Sequence, residues 1–157
     1  MFYLIRHGEP DYSQVGSKIY QGIGIDFSSL TDVGIKNIKL TAQDSRLKDA
    51  EIIISSPYTR ALHSAAILSK ELQIDIIIET DLHEWISNKN YDFNDKNNTN
   101  SYQEFCDNDG NYPKGEVRQW ENNDILKKRI IGVLNNYKNY KKVIIVCHVM
   151  LIHSIYP

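Results

Sequence analysis

The sequence predicts an α/β fold in which a mostly parallel sheet lies between two layers of helices. Three observations predict it. Four short runs rich in isoleucine and valine, at residues 2–5, 52–55, 74–78 and 143–147, lack polar alternation, the pattern of strands covered on both faces. Segments with helical spacing of apolar residues lie between them, and strands alternating with helices build parallel sheets. The length of 157 residues and hydrophobic content of 41% fit one domain, residues 1–157, with a sizeable core.

The first run, Phe2-Tyr3-Leu4-Ile5, ends at Arg6-His7-Gly8-Glu9. Thr31 is a candidate N-cap. The helix it starts runs to about residue 45, with Val33, Ile35, Ile38, Leu40 and Ala42 as its apolar positions. Gly34 in that helix costs about 1 kcal/mol relative to alanine, which points to close packing. After the second run, Ser56-Pro57 supplies a cap and a proline for the first turn. The helix it opens extends to about residue 72 and buries Ala61, Leu62, Ala65, Ile67 and Leu68. A third helix covers about 123–140, with Ile125, Leu126, Ile130, Val133 and Leu134 apolar, and a last short helix begins near Val149.

Residues 86–122 read differently. Asn, Asp and Lys are frequent there and apolar runs vanish, yet Tyr91, Phe93, Tyr102, Phe105, Tyr112 and Trp120 are interleaved. A disordered linker is poor in aromatics. The segment therefore reads as an irregular, cap-like excursion that packs back on the sheet edge.

Composition narrows the function. A net charge of −2 gives no footprint for nucleic acid or an anionic membrane. No apolar stretch approaches the roughly 20 residues of a membrane span, and the sequence opens directly into a strand with no signal-peptide pattern. Cys106 and Cys147 make no disulfide framework, and Cys147 lies in an apolar run as a buried small hydrophobe. A cytoplasmic location is expected. The histidines and cysteines lack compact metal-ligand spacing, so no metal and no cofactor is expected.

Each run is followed within a few residues by a group suited to phosphate chemistry: Arg6 and His7, then Arg60, then Glu84, then His148. If the strands are parallel, all five reach one edge of the sheet, where ligands of open α/β folds bind. Helices starting after the second and fourth strands add free amides that favour an anion. Phosphoryl transfer passes through a loose transition state that positioned cations stabilise. Arg6, Arg60 and His148 are candidates for gripping the phosphate oxygens. A neutral His7 can attack phosphorus, its tautomer fixed by a hydrogen bond from the other ring nitrogen to a carbonyl. Glu84 can protonate the leaving oxygen and then activate water.

These blocks resemble the histidine phosphatase superfamily, the phosphoglycerate mutase-like family. Arg6-His7-Gly8-Glu9 resembles its nucleophile signature and Leu30-Thr31-Asp32-Val33-Gly34 its first helix start. Ser55-Ser56-Pro57-Tyr58-Thr59-Arg60-Ala61 is similar to its second-arginine block, Leu82-His83-Glu84 to its acid site, and residues 143–148 to the strand carrying its second histidine. Lys114-Gly115-Glu116 resembles a glycine-glutamate turn before a helix that holds Arg129. The resemblance implies a three-layer α/β/α sandwich and metal-independent transfer through a phosphohistidine. Ser13 stands where the family often has an asparagine and is the implied further phosphate contact. Val149 stands where a small residue commonly follows the second histidine, which implies either a more crowded pocket or a shifted last helix. Relatives usually continue past the last strand, whereas this sequence stops at Pro157, so either the final elements are absent or the sequence is a piece of a longer chain.

His63 reads as a helix-face residue, His153 as a terminal one, and Gly22-Ile23-Gly24 is too sparse to cradle phosphate. Trp85, Tyr91 and Phe93 are candidates for a substrate mouth. Between Trp85 and Asn122, seven acidic residues face four basic ones, which suits a neutral or partly cationic leaving group. The expected substrate is a small phosphomonoester. A phosphoglycerate mutase and a catalytically weak phosphate-binding or regulatory protein are the two alternatives; the oligomeric state is left open.

Overall fold

A computed structural model describes residues 1–13, 15, 22–90 and 95–156. The predictions for Tyr91 and Phe93 fall outside these residues. Four strands, β1 (Phe2–Arg6), β2 (Ile52–Ser55), β3 (Ile76–Ile78) and β4 (Val143–Cys147), form one sheet in the order β1-β4-β2-β3. Every pairing is parallel. Side-chain alternation divides the core in two. Ile53, Ile144 and Val146 point to one face, where they join α1 (Asp32–Thr41) and α2 (Thr59–Leu72) through Ile38, Ala61, Ala65 and Leu68. Ile52, Ile54, Val143, Ile145 and Cys147 point to the other, where they join α4 (Asn123–Asn136) and α5 (Val149–His153) through Leu126, Ile130, Val133 and Leu151. The result is the expected three-layer α/β/α sandwich. Burial pushes the Cys147 thiol up to about 12, so it packs as an inert apolar group.

The boundaries shift for local reasons. Thr31 caps α1 as expected, accepting the Gly34 N–H at 3.0 Å, but α1 stops at Thr41 and a 3-10 turn, Ser45–Leu47, follows. Val33 and Leu40 face solvent, at 58% and 54% exposure, because the buried stripe is the one through Gly34 and Ile38. β3 is shorter than predicted, and as an edge strand it leaves Ile77 and Ile78 exposed. α4 ends at Asn136 rather than near residue 140.

The excursion after Ile86 is less irregular than its composition implied. It contains a further helix, α3 (Asp95–Asp107). It packs through a ladder of edge-to-face rings, Trp85 on Phe105, Phe105 on Trp120 and Trp120 on Tyr112, with centroids 4.9–5.5 Å apart. Phe105 and Trp120 thereby join the apolar cluster on the α4 face of the sheet. Polar composition hid the helix because its anchoring is carried by a few large aromatics. No helix among the described residues is long and apolar enough to cross a membrane.

Candidate active site

Strand register builds the centre of the site. Arg6 lies opposite Cys147 at the ends of β1 and β4, and the His7 N–H extends the ladder to the Cys147 carbonyl at 3.1 Å. The next residue on each strand is a histidine, and the His7 and His148 rings lie 5.0 Å apart. β2 ends beside them. The Ser56 N–H donates to the Val146 carbonyl at 3.0 Å, and Ser56 Oγ meets His148 Nε2 at 2.7 Å. This overturns the reading of Ser56 as a helix cap: its hydroxyl serves His148 while also accepting the Tyr58 N–H at 3.3 Å. α2 starts later, after an N-cap at Tyr58 that makes no side-chain cap bond.

His7 is buried, and its Nδ1 lies 2.7 Å from the Gly8 carbonyl. A carbonyl only accepts, so Nδ1 carries the proton and Nε2 keeps its lone pair. Burial, opposed by that hydrogen bond and aided by the charges of Arg60 and Arg6, lowers the His7 pKa to about 4. The imidazole is therefore neutral near pH 7. Arg60, 5% exposed in the first turn of α2, donates from Nε to His7 Nε2 at 3.3 Å. Its Nη1 donates to Asp26 Oδ1 at 3.1 Å and to the Ile25 carbonyl at 3.3 Å. The Tyr58 ring lies 5.0 Å from the guanidinium carbon.

Glycines make this arrangement possible. The Gly8 N–H donates to Ser64 Oγ at 3.0 Å, and Ser64 sits one helical turn after Arg60, whose carbonyl takes the Ser64 hydroxyl at 2.8 Å. A Cβ at Gly34 would stand 2.5 Å from the Glu9 carbonyl oxygen, and one at Gly8 would stand 2.9 Å from the Gly34 oxygen. The close packing expected of Gly34 is thus the seat of the His7 loop on α1.

His148 is fully buried, and burial followed by the charge of Arg60 lowers its pKa to about 2. Its Nδ1 is a buried polar atom without a hydrogen-bond partner among the described residues. Glu84 follows the 3-10 turn Thr80–Leu82. Burial raises its pKa, with the Trp85 and Met150 N–H groups and the charges of Arg60 and Arg6 pulling the other way. The Trp85 N–H donates to its Oε1 at 2.8 Å. Val149 does not keep the last helix away from the site, since the Met150 amide acts on the Glu84 carboxylate.

The predicted residues therefore converge. His7 contacts both Arg60 and His148, the Arg60 charge acts on His148, and Arg6, exposed at the end of β1, acts through its charge on His7 and Glu84. Ser13 differs: it is exposed in the loop after β1, where Asp11 Oδ1 accepts its N–H at 2.9 Å. That placement adds nothing to its expected phosphate contact. Trp85 turns into packing, its Nε1 donating to the Glu121 carbonyl at 2.6 Å.

The glycine-glutamate turn was misplaced. Glu116 is exposed and pairs with Arg118, whereas Asn122 caps α4 by accepting the Ile125 N–H at 3.0 Å. The buried acid before that helix is Glu121, 4% exposed and bonded to Arg129 at 2.9 Å. The Asn122 cap signal would have found it. Asp26, Ser56 and Ser64 were also missed. Ser64 was legible as the residue four after Arg60 on the same helix face; Asp26 carried no periodic signal.

Comparison with known proteins identifies the family and the fold. The family model for the histidine phosphatase superfamily (branch 1) matches residues 2–157. A protein of Hydrogenobacter thermophilus named "Putative phosphoserine phosphatase 2" is 35% identical over 82 residues, which is 52% of this chain and 38% of that protein. The aligned part is thus well under half of that relative's length. Bacillus stearothermophilus YhfR superposes with a TM-score of 0.68 at 19% identity, covering 99% of this chain and 77% of that one. The mycobacterial glucosyl-3-phosphoglycerate phosphatase, solved with inorganic phosphate, gives a TM-score of 0.66 at 16% identity, covering 98% of this chain and 75% of that one. These two solved structures share its fold.

Proposed function

The chain belongs to the histidine phosphatase superfamily, branch 1, and on that premise we propose that it hydrolyses a small phosphomonoester through a phosphohistidine on His7, independently of metal or cofactor. One observation carries the reading: a neutral His7 whose Nδ1 faces a carbonyl and whose Nε2 meets an arginine donor. That is an imidazole prepared as a nucleophile beside a phosphate-binding group.

In the proposed reaction, Nε2 attacks phosphorus in line as the bond to the leaving oxygen breaks. Arg60 Nε transfers its hydrogen bond from Nε2 to an equatorial oxygen, and Arg6 takes another. We assign the Ser56 hydroxyl as the donor in its 2.7 Å contact with His148 Nε2, which keeps the His148 proton on Nδ1, a buried atom with no partner among the described residues. Nδ1–H is then a donor to the phosphate. Glu84, whose pKa burial raises, is the proton donor in this reading and gives its proton to the leaving alkoxide. The carboxylate left behind takes a proton from water as the water oxygen attacks phosphorus, releasing inorganic phosphate and restoring His7. Asp26 beside Arg60 and the acidic excess at 85–122 support a neutral or partly cationic leaving group over a second anion. Two free cysteines suit the reducing, cytoplasmic setting expected from the sequence.

The test is a denaturing quench at alkaline pH during turnover of a phosphate-labelled monoester. Label should be trapped in the wild type as an acid-labile, base-stable phosphoprotein, and His7→Ala should trap none and lose at least ~10³-fold in kcat, the scale of nucleophile deletions. Normal hydrolysis by His7→Ala would reject the mechanism. Turnover of phosphoglycerate as a mutase in excess of hydrolysis would reject the phosphatase reading, and binding without turnover would favour a regulatory protein.

A further inference from the structure

We propose that Glu121 and Arg129 form a positioning pair that holds the Glu84 carboxyl at the height of the leaving oxygen. The inference rests on the reading of Glu84 as proton donor. Glu84 lies between the 3-10 turn Thr80–Leu82 and Ile86, in a stretch without helix or strand, so its own backbone ladder does not fix it. Side chains from elsewhere do. Arg129, from α4, donates through Nη1 to the Asp81 carbonyl and to the His83 carbonyl at 3.1 Å. Its Nη2 donates to Glu121 Oε2 at 2.9 Å. The same carboxylate oxygen accepts the Ile86 N–H at 3.0 Å. The Glu121 N–H donates to the Ile86 carbonyl at 3.0 Å, and the Glu121 carbonyl accepts the Trp85 indole N–H at 2.6 Å.

Residues 81, 83, 85 and 86 are thus each tied to the pair, and Glu84 is the residue between them. Both side chains are buried, at 10% and 5% exposure for Arg129 and Glu121. A buried ion pair is a poor stabiliser compared with an apolar pair of similar volume, so packing alone does not call for one here. Directional bonds to the carbonyl groups of residues 81 and 83 and to one amide do call for a planar multi-donor fork and a carboxylate. The chemistry explains the need. A proton donor works only within hydrogen-bond reach of its acceptor, and a displacement of about 1 Å by a distant substitution can cost on the order of 10²-fold.

The experiment uses two probes that differ in leaving group, phenyl phosphate and p-nitrophenyl phosphate. Nitrophenolate departs readily without a proton; phenolate benefits more from one. The ratio of kcat/KM on the two is independent of the fraction of enzyme that is folded. Arg129→Lys, which keeps the charge and loses the fork, should lower phenyl phosphate turnover about 10-fold and p-nitrophenyl phosphate turnover about 2-fold or less. Glu121→Gln should shift the ratio in the same direction and serves where Arg129→Lys folds poorly. Glu84→Gln, as the reference, should give the largest shift, about 10²-fold or more. Equal losses on both probes in both pair variants, with the shift intact in Glu84→Gln, would overturn the positioning role. Equal losses in Glu84→Gln itself would overturn the proton-donor reading and the inference with it.

Discussion

The two halves of the site are built by different means. The half proposed to hold phosphate, His7 and His148, is placed by main chain: parallel register sets the two residues side by side, and backbone contacts at Gly8 and Gly34 seat the loop. The proposed proton-delivering half, Glu84, follows the short edge strand β3, and the residues on either side of it are tied to side chains that arrive from Glu121 and Arg129. A sheet centre is rigid because many bonds share the load. A clamped loop depends on a few. The first half should therefore tolerate side-chain changes around it and resist backbone changes poorly, while the second should show the reverse.

The pH dependence of kcat/KM on phenyl phosphate separates the halves most strongly. His7 must be neutral to attack, and its pKa is lowered to about 4, so the rate should rise with pH through about 4 and level off above it. Glu84 must be protonated to donate, and burial raises its pKa, so the rate should fall again above the ordinary carboxylate range. Each limb approaches tenfold per pH unit. The monoester's own ionisation near pH 6 affects all variants alike, so the limb lost in Glu84→Gln belongs to Glu84. A basic limb unchanged in that variant would move the proton donor elsewhere, and an acid limb near 6.5 would mean that His7 is not held neutral by the fold.

A smaller effect tests the backbone-built half. Gly34→Ala would drive a methyl to 2.5 Å from the Glu9 carbonyl oxygen. It should destabilise the protein by about 1–3 kcal/mol in urea unfolding and lower turnover on both aryl phosphates equally, since it moves the nucleophile. Wild-type stability in Gly34→Ala would show that the loop has room to shift. The smallest effect is expected from Thr31→Ala, which removes the α1 cap on Gly34 and the hydroxyl bond to Glu9 at 2.6 Å. About 1 kcal/mol should be lost, with the leaving-group ratio unchanged. A changed ratio would tie α1 to the Glu84 half and blur the division.

The same division explains what could be read in the sequence. Residues placed by strand ends were legible, because an apolar run followed by Arg6-His7 or by His148 states both the element and the edge it reaches. Arg60 was legible from its place after β2, although the cap was misjudged: Ser56 has a strong local preference for capping, and the contact with His148, 92 residues away, overrides it. Asp26 and Glu121 were not legible. Their roles consist of long-range pairs, Asp26 with Arg60 and Glu121 with Arg129, and a single carboxylate carries no period that marks its partner. α3 was missed because its helical residues are polar and its anchoring lies in Phe105 and in rings beyond the helix.

The strand order has a consequence for synthesis. β4 lies between β1 and β2 in the sheet, so the segment bearing the nucleophile leaves the ribosome long before the neighbour that its ladder requires. At about 5–20 residues per second, roughly ten seconds of elongation separate them. Throughout that interval His7 belongs to a nascent chain without a finished sheet, and competence arrives only when the segment carrying His148 slides into place.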